Sequence, residues 1–256
     1  MPKKTASPGA KLVFVGTGEA FDPALPNTSL LYRGSINLLV DCGYSVPHAF
    51  WRISRDPALL DAVYVSHQHA DHSFGLPALL LWMRIAGRRR PLEVIGGPGV
   101  GRWLRKLLEL GYPGSWGERC YPIAPVELAP GDVLERGALR LSNARSQHGV
   151  RNLSLRIETS SHVVAYSGDG APSAATRALY AGADVLVHEC YGAHASEHGH
   201  AGLAELLELA RSLHLPTLCL LHLAREQKTQ IKRLSRKARG GTRIVLPVPG
   251  DAIHLT

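Results

Sequence analysis

Residues 66 to 72 read Ser66-His67-Gln68-His69-Ala70-Asp71-His72, and this run constrains the fold more than any other stretch of the chain. Three imidazoles and a carboxylate packed this closely form a donor set suited to a zinc-type cation. The run directly follows the strand-like Leu60 to Val65. It precedes Leu76 to Ala86, which is long enough for a helix that Gly87 and Arg88-Arg89-Arg90-Pro91 would end. A loop between a strand and a helix can aim alternate side chains apart, so His67 and His69 could face one ion while Asp71 and His72 face a second. The rival reading, a polar loop with coincidental histidines, does not account for this spacing between two apolar elements.

Four donors cannot complete two sites, so others must arrive from distant segments. Three candidates each close an apolar run: His148 before Gly149, Asp169 in Tyr166-Ser167-Gly168-Asp169-Gly170, and His222 after Leu218-Cys219-Leu220-Leu221. A carboxylate such as Asp169 can bridge two cations, which a neutral imidazole cannot. Taken singly, each would be a capping or surface residue. Beside the cluster, they imply a fold that gathers several strand ends at one place.

Short apolar runs bounded by turn residues predict strands at 11–15, 29–33, 37–41, 62–65, 139–143, 152–158, 162–166, 184–188, 217–221 and 243–246. The turn at Ser160-Ser161 is too short to hold a crossover helix and predicts an antiparallel pair. Helices are expected at 76–86, 98–110, 201–212 and 225–238. Antiparallel strands mixed with spaced helices predict an α+β fold, a sandwich of two sheets covered by outer helices. At 256 residues, with neither repeat nor linker, the chain reads as a single domain, 1–256.

Four scattered cysteines without a CxxC pair argue against a disulfide scaffold and for a reducing cytoplasm. Cys42 and Cys219 lie in apolar runs and are expected to pack as small hydrophobes. No apolar run approaches the roughly 18 residues of a membrane helix, and Leu12-Val13-Phe14-Val15 is too short for a signal sequence. The net charge of +8 favours an anionic partner without naming one, since solubility accounts for it as well. Arg88-Arg89-Arg90 and the stretch Lys228 to Arg239 are candidate anion-binding surfaces. Neither carries interleaved aromatics for base stacking, so RNA is the less favoured ligand.

The spaced HxHxDH run, the lone His148, Asp169 and His222 together resemble the metallo-β-lactamase superfamily. Gly16-Thr17-Gly18-Glu19-Ala20 with Asn27-Thr28-Ser29, Leu186-Val187-His188-Glu189-Cys190 and Gly199-His200-Ala201 resemble its RNase Z-like branch. The resemblance spans nearly the whole chain and implies a four-layer αββα sandwich. It implies one metal held by His67, His69 and His148, another by Asp71, His72 and His222, and Asp169 bridging them. Asp41, in Val40-Asp41-Cys42-Gly43, would support the metal loop. Two divalent ions follow, zinc by default, with manganese or iron as alternatives. A homodimer is common in the branch. Departures also stand out. Only 20 residues separate His148 from Asp169, so the branch's tRNA-gripping arm is absent; His222 is followed by Leu223-Ala224-Arg225 rather than Ser-Pro-Arg-Tyr; and Cys190 replaces a common alanine.

The activity this implies is a metal-dependent phosphodiesterase acting on an anionic small molecule or nucleotide, a small or cyclic phosphodiester or an RNA end. A hydroxide bridging two ions would attack phosphorus beside Asp71, and His200, oriented by Glu189, would protonate the leaving group. Against this stand a surface histidine beside His194 and His198 in a polar loop; an arylsulfatase, lactonase or thioester hydrolase on the same metals; and a nucleic-acid-binding protein with a structural metal site. His188 reads as structural, and His48, His162, His214 and His254 have no functional context.

Overall fold

In the computed structural model, residues 9–117, 121–194, 199–238 and 240–256 are described. His198 and Arg239, named above, lie outside them, as does Cys120, one of the four cysteines. The first half carries β1 (Lys11–Gly16), β2 (Ser29–Arg33), β3 (Asn37–Val40), β4 (Ala62–Val65), β5 (Leu92–Gly96) and β6 (Ile123–Glu127). Between them run α1 (Val46–Ile53), α2 (Ala70–Ser73), α3 (Leu76–Ile85) and α4 (Val100–Gly111). The second half carries β7 (Val133–Arg136), β8 (Leu139–Arg145), β9 (Leu153–Glu158), β10 (Val163–Tyr166), β11 (Val185–Glu189), β12 (Thr217–Leu221) and β13 (Arg243–Val245). Its helices are α5 (Ala174–Tyr180), α6 (Leu203–Ser212) and α7 (Lys228–Lys237), and β14 (Ala252–His254) returns to the first sheet.

Two seven-stranded sheets result, ordered β14-β1-β2-β3-β4-β5-β6 and β13-β12-β11-β10-β9-β8-β7. Both repeat one plan. Antiparallel strands lead into parallel ones: β3 to β6 run parallel in the first sheet and β10 to β13 in the second. Helical crossovers connect parallel neighbours, as parallel pairing requires. The hairpin expected around Ser160-Ser161 is β9–β10, paired antiparallel from Val163↔Glu158.

Period-two alternation builds the layers. Leu12 and Phe14 of β1 face the second sheet in a core with Leu38, Tyr64, Leu141, Leu155 and Leu221. Val13 and Val15 face outward, against Phe50, Leu79, Met83 and Leu104 of the covering helices. Across the molecule, Leu186, Leu218 and Leu220 pack under Leu206, Leu209 and Ile231. The order is helix, sheet, sheet, helix, the αββα sandwich. Cys42 and Cys219 are buried among apolar side chains.

Several elements depart from expectation. β5, β6, β7 and β14, with α1 and α5, are additional. The helix expected over 225–238 starts only at Lys228, and α2 turns part of the metal-candidate loop helical. The larger correction concerns Arg88-Arg89-Arg90 as an anion-binding surface. Arg88 is 1% exposed and donates to the carbonyls of Pro57, Leu60, Arg90 and Pro91, while Arg90 pairs with Asp61. The stretch also precedes β5, whereas the histidine cluster follows the parallel neighbour β4, so the two sit at opposite ends of the sheet. The planar guanidinium is a structural tie. Arg88→Met, stranding four carbonyls without their donor, is expected to cost about 3 kcal/mol or more, read from the urea unfolding midpoint, with metal content unaltered.

Candidate metal centre

The C-terminal ends of the parallel strands converge on one end of the sandwich. Asp41 follows β3, the histidine cluster β4, Asp169 β10, Glu189 ends β11 and His222 follows β12; His148 comes from the β8–β9 connection. All seven residues expected to hold metals meet here. Donor atoms of His67, His69, His148 and Asp169 lie within 4.8 Å of one another, as do those of Asp71, His72, Asp169 and His222. The short helix α2 separates the two groups: Asp71 and His72 ride on it, whereas His67 precedes it and His69 caps it.

The spacings suit cations. Four donors around a zinc at 2.0–2.1 Å stand about 3.3 Å apart. Here His69 Nδ1 and His148 Nε2 are 3.3 Å apart, and His72 Nε2 is 3.3 Å from Asp71 Oδ2 and 3.2 Å from Asp169 Oδ1. His222 Nε2 is 3.3 Å from Asp71 Oδ2 and 3.6 Å from Asp169 Oδ1. The other oxygen of Asp169, Oδ2, lies 3.8 Å from His67 Nε2. His67 Nε2, His72 Nε2 and Asp169 Oδ1 are buried without a hydrogen-bond partner among the described residues. Buried polar atoms are rarely left so unless something else fills their valence, and a divalent cation fits this donor set. His69 is exposed and His148 half-buried, so the centre opens to solvent on that side.

Asp41 organises the buried side. Its Oδ2 accepts from His72 Nδ1 at 2.8 Å, Ser66 Oγ at 2.8 Å and Tyr166 Oη at 2.7 Å, and its Oδ1 accepts from Ser66 N at 2.8 Å. A hydrogen bond to Nδ1 leaves His72 Nε2 as the basic nitrogen aimed at Asp71 and Asp169. Burial alone would lower the His72 pKa, but Asp169 and Asp41 together hold it well above the ordinary imidazole value. His67 is pushed well below it, chiefly by burial and then by neighbouring His72, which together outweigh the opposing pull of Asp169.

The backbone is fitted as tightly. A Cβ on Gly43 would come within 1.9 Å of the Asp71 carbonyl, and one on Gly75 within 2.1 Å of the Gly43 carbonyl. The chain after β3 therefore presses on α2 without intervening side chains, sealed by Cys42 N to His72 O at 2.7 Å. Asn152 does the same for Asp169: its Oδ1 accepts from Asp169 N, and its Nδ2 donates to Ser167 O. Asp41 and His222 both hold positive φ, 59° and 55°, a conformation uncommon outside glycine and concentrated at functional sites.

Glu189 and His200 stand beside the two groups. Fully buried Glu189 accepts from His200 Nδ1 at 3.0 Å and from the amides of Gly170, Tyr191 and Ala201. Tyr191 stacks on the His200 ring at 4.7 Å, and His222 stands 6.1 Å away. His188 is buried with Nδ1 on the Glu189 carbonyl, a structural position, and His162 is buried against the Tyr32 hydroxyl, away from the cluster. The sequence assigns no role to Ser66, Asn152, Tyr166 or Tyr191: Ser66 and Tyr166 lie in the runs that carry the histidine cluster and Asp169 but are not metal-ligand types, and Asn152 and Tyr191 belong to no motif. Asp41→Asn, which puts an amide donor among four donors, is expected to weaken divalent-metal retention about 10- to 100-fold, read by chelator competition. Undiminished retention would show that Asp41 does not orient His72 for a metal.

The family model described as Anti-Pycsar protein Apyc1 matches residues 10–240. Ribonuclease BN of Citrobacter koseri is 25% identical, over 84% of this chain and 89% of its own length. The metallo-β-lactamase fold protein YhfI of Bacillus subtilis superposes with a TM-score of 0.81 at 23% identity, covering 96% of this chain and 99% of that one. Human tRNase Z, short form, superposes with a TM-score of 0.79 at 19% identity, covering 96% and 99%. Together with the donor clusters at the strand ends, these likenesses identify a metal-dependent hydrolase of the RNase Z-like branch of the metallo-β-lactamase fold, and the chain belongs to the Anti-Pycsar protein Apyc1 family.

Proposed function

We propose that this hydrolase is a phosphodiesterase, cleaving a small or cyclic phosphodiester at a centre of two divalent cations. His67, His69 and His148 would hold one, Asp71, His72 and His222 the other, and Asp169 would be shared. The division of the Asp169 carboxylate, one oxygen toward each group, supports this reading most. When bound, a cation pair supplies an acidified water as nucleophile and counter-charge for the phosphoryl oxygens, zinc suiting the donors, with manganese or iron as alternatives.

The chain's own residues supply the rest. Glu189 engages Nδ1 of His200, which leaves Nε2 for the leaving-group oxygen. Burial alone would lower the His200 pKa; Glu189 outweighs it and raises the value. The imidazolium, the form a proton donor needs, therefore persists to higher pH than in a free histidine, and turnover should fall as pH rises through that raised value.

Substrate size follows from what lies around the centre. Between His148 and Asp169 there is room only for the β9–β10 hairpin, so no arm is present to grip a large RNA. The basic face of α7 is partly neutralised, with Lys228 Nζ 2.9 Å from Asp22. Both favour a small diester over a polynucleotide.

His200→Ala separates the roles by leaving group. On a cyclic nucleotide, whose departing alkoxide must be protonated, turnover is expected to fall about 100-fold or more. On bis-p-nitrophenyl phosphate, whose phenolate departs unaided, the loss should be much smaller, with metal content intact. Equal losses on both would remove the proton-donor role. Cleavage of a lactone or aryl sulfate, with neither diester cleaved, would favour the alternative hydrolases.

A further inference from the structure

A hydrogen bond to one ring nitrogen does not fix the plane of an imidazole. The torsion that turns a histidine ring about its Cβ–Cγ bond has broad minima. Half-buried His200 would therefore rock about its Nδ1 contact with Glu189 unless something met its faces. Two rings do. Tyr191 stacks on it, with centroids 4.7 Å and planes 29° apart. His148 meets it at 72°, with centroids 5.1 Å apart. His222 lies nearly parallel to it at a longer 6.1 Å.

His148 and His222 are candidate metal ligands, so their orientations answer to the cations. Tyr191 answers to none. Its backbone holds it instead: the amide donates to Glu189 Oε2 at 3.0 Å, while Glu189 Oε1 takes His200 Nδ1 at 3.0 Å. One buried carboxylate thus places the tyrosine and the histidine against each other. The Tyr191 carbonyl accepts from Ala224 N at 3.3 Å, which ties the turn after β11 to the residues that follow β12. Gly192 N donates to Ala201 O at 3.2 Å, which ties the same turn to the residue after His200. The Tyr191 hydroxyl, by contrast, hydrogen-bonds to no other described residue. Its ring face is what the site engages.

Resting on the phosphodiesterase reading and on His200 as proton donor, we propose that Tyr191 is a positioning residue whose ring face sets the plane of the His200 imidazole and aims Nε2 at the leaving-group oxygen. As the phosphorus–oxygen bond breaks, its electron pair stays with the departing oxygen, and the proton passes to that oxygen from His200 Nε2. Tyr191 gives up no proton and touches no reacting atom. Its effect is geometric, and small misplacements of a catalytic group are costly.

The test pairs an activity readout with one independent of activity. In the zinc-loaded full chain with ring-labelled histidine, the carbon-bound ring protons of His200 are identified by their disappearance in His200→Gln. In Tyr191→Leu these signals are expected to move downfield as the shielding ring current is lost, whereas Tyr191→Phe should hold them in place. On a cyclic nucleotide, kcat of Tyr191→Leu should fall about 10-fold with KM little changed. Bis-p-nitrophenyl phosphate, whose phenolate departs unaided, should be much less affected, and Tyr191→Phe should restore the rate that Tyr191→Leu loses. Three results would each overturn the proposal. Equal losses on both substrates, or loss of zinc from Tyr191→Leu, would make the residue a support of the whole centre. A loss in Tyr191→Phe as deep as in Tyr191→Leu would assign the work to the hydroxyl. Unmoved His200 signals in Tyr191→Leu would show that the two rings do not stack. If the signals move as expected while the unmodified protein cleaves no diester, the positioning of His200 stands and the phosphodiesterase reading alone fails.

Discussion

The Asp41 carboxylate is the interaction on which the centre depends. It is fully buried, yet it accepts hydrogen bonds from three side chains and one backbone amide, drawn from the residues that follow β4 and from β10. Through Ser66 and His72 it grips both ends of the histidine run, and through Tyr166 it fastens the first sheet to the second. A buried carboxylate is tolerated only when its lone pairs are so occupied. The requirement runs in both directions, since His72 owes its orientation to the same contact.

Around that anchor, the repeated plan of the two sheets does the gathering. In each, the antiparallel strands end in a parallel set, and the carboxyl ends of the parallel strands point to one end of the sandwich. Open α/β sheets place their ligands at that end for the same reason: side chains leaving the strands there are not consumed in packing. Glycines at 43 and 75 then permit a main-chain approach that a methyl group would forbid.

The sequence made the chemistry legible more readily than the scaffold. His67, His69, Asp71, His72, His148, Asp169 and His222 could be named because packing seldom places imidazoles and carboxylates at the ends of so many apolar runs, and the structure brings them together. The order of layers followed from period-two alternation in strands such as β1. What escaped has definite physical causes. α1 begins with Val46-Pro47 and spans only two turns, so its apolar side chains gave little periodic signal. β6 and β7 are edge strands whose exposed positions blur the alternation. Arg88 read as surface charge because a run of arginines usually is; only its partners, all main-chain carbonyls, reveal a core residue. Asn152 and Tyr166 act through contacts across long stretches of chain, which no local pattern encodes.

The left-handed backbone at Asp41 and His222 marks two places where the fold and the centre make demands on the same residue. Among the described residues only three non-glycine positions have positive φ, and the third, His214, directly follows the Leu213 cap of α6, where such a conformation is ordinary. At the other two, a chain under selection for folding alone would drift toward glycine or asparagine, which adopt the conformation at lower cost. An aspartate and a histidine stand there instead, and both side chains enter the centre, so the backbone cost falls where its chemistry needs those groups. At Asp41 the same carboxylate also joins the two sheets through Tyr166, so the strained residue serves the scaffold and the centre together.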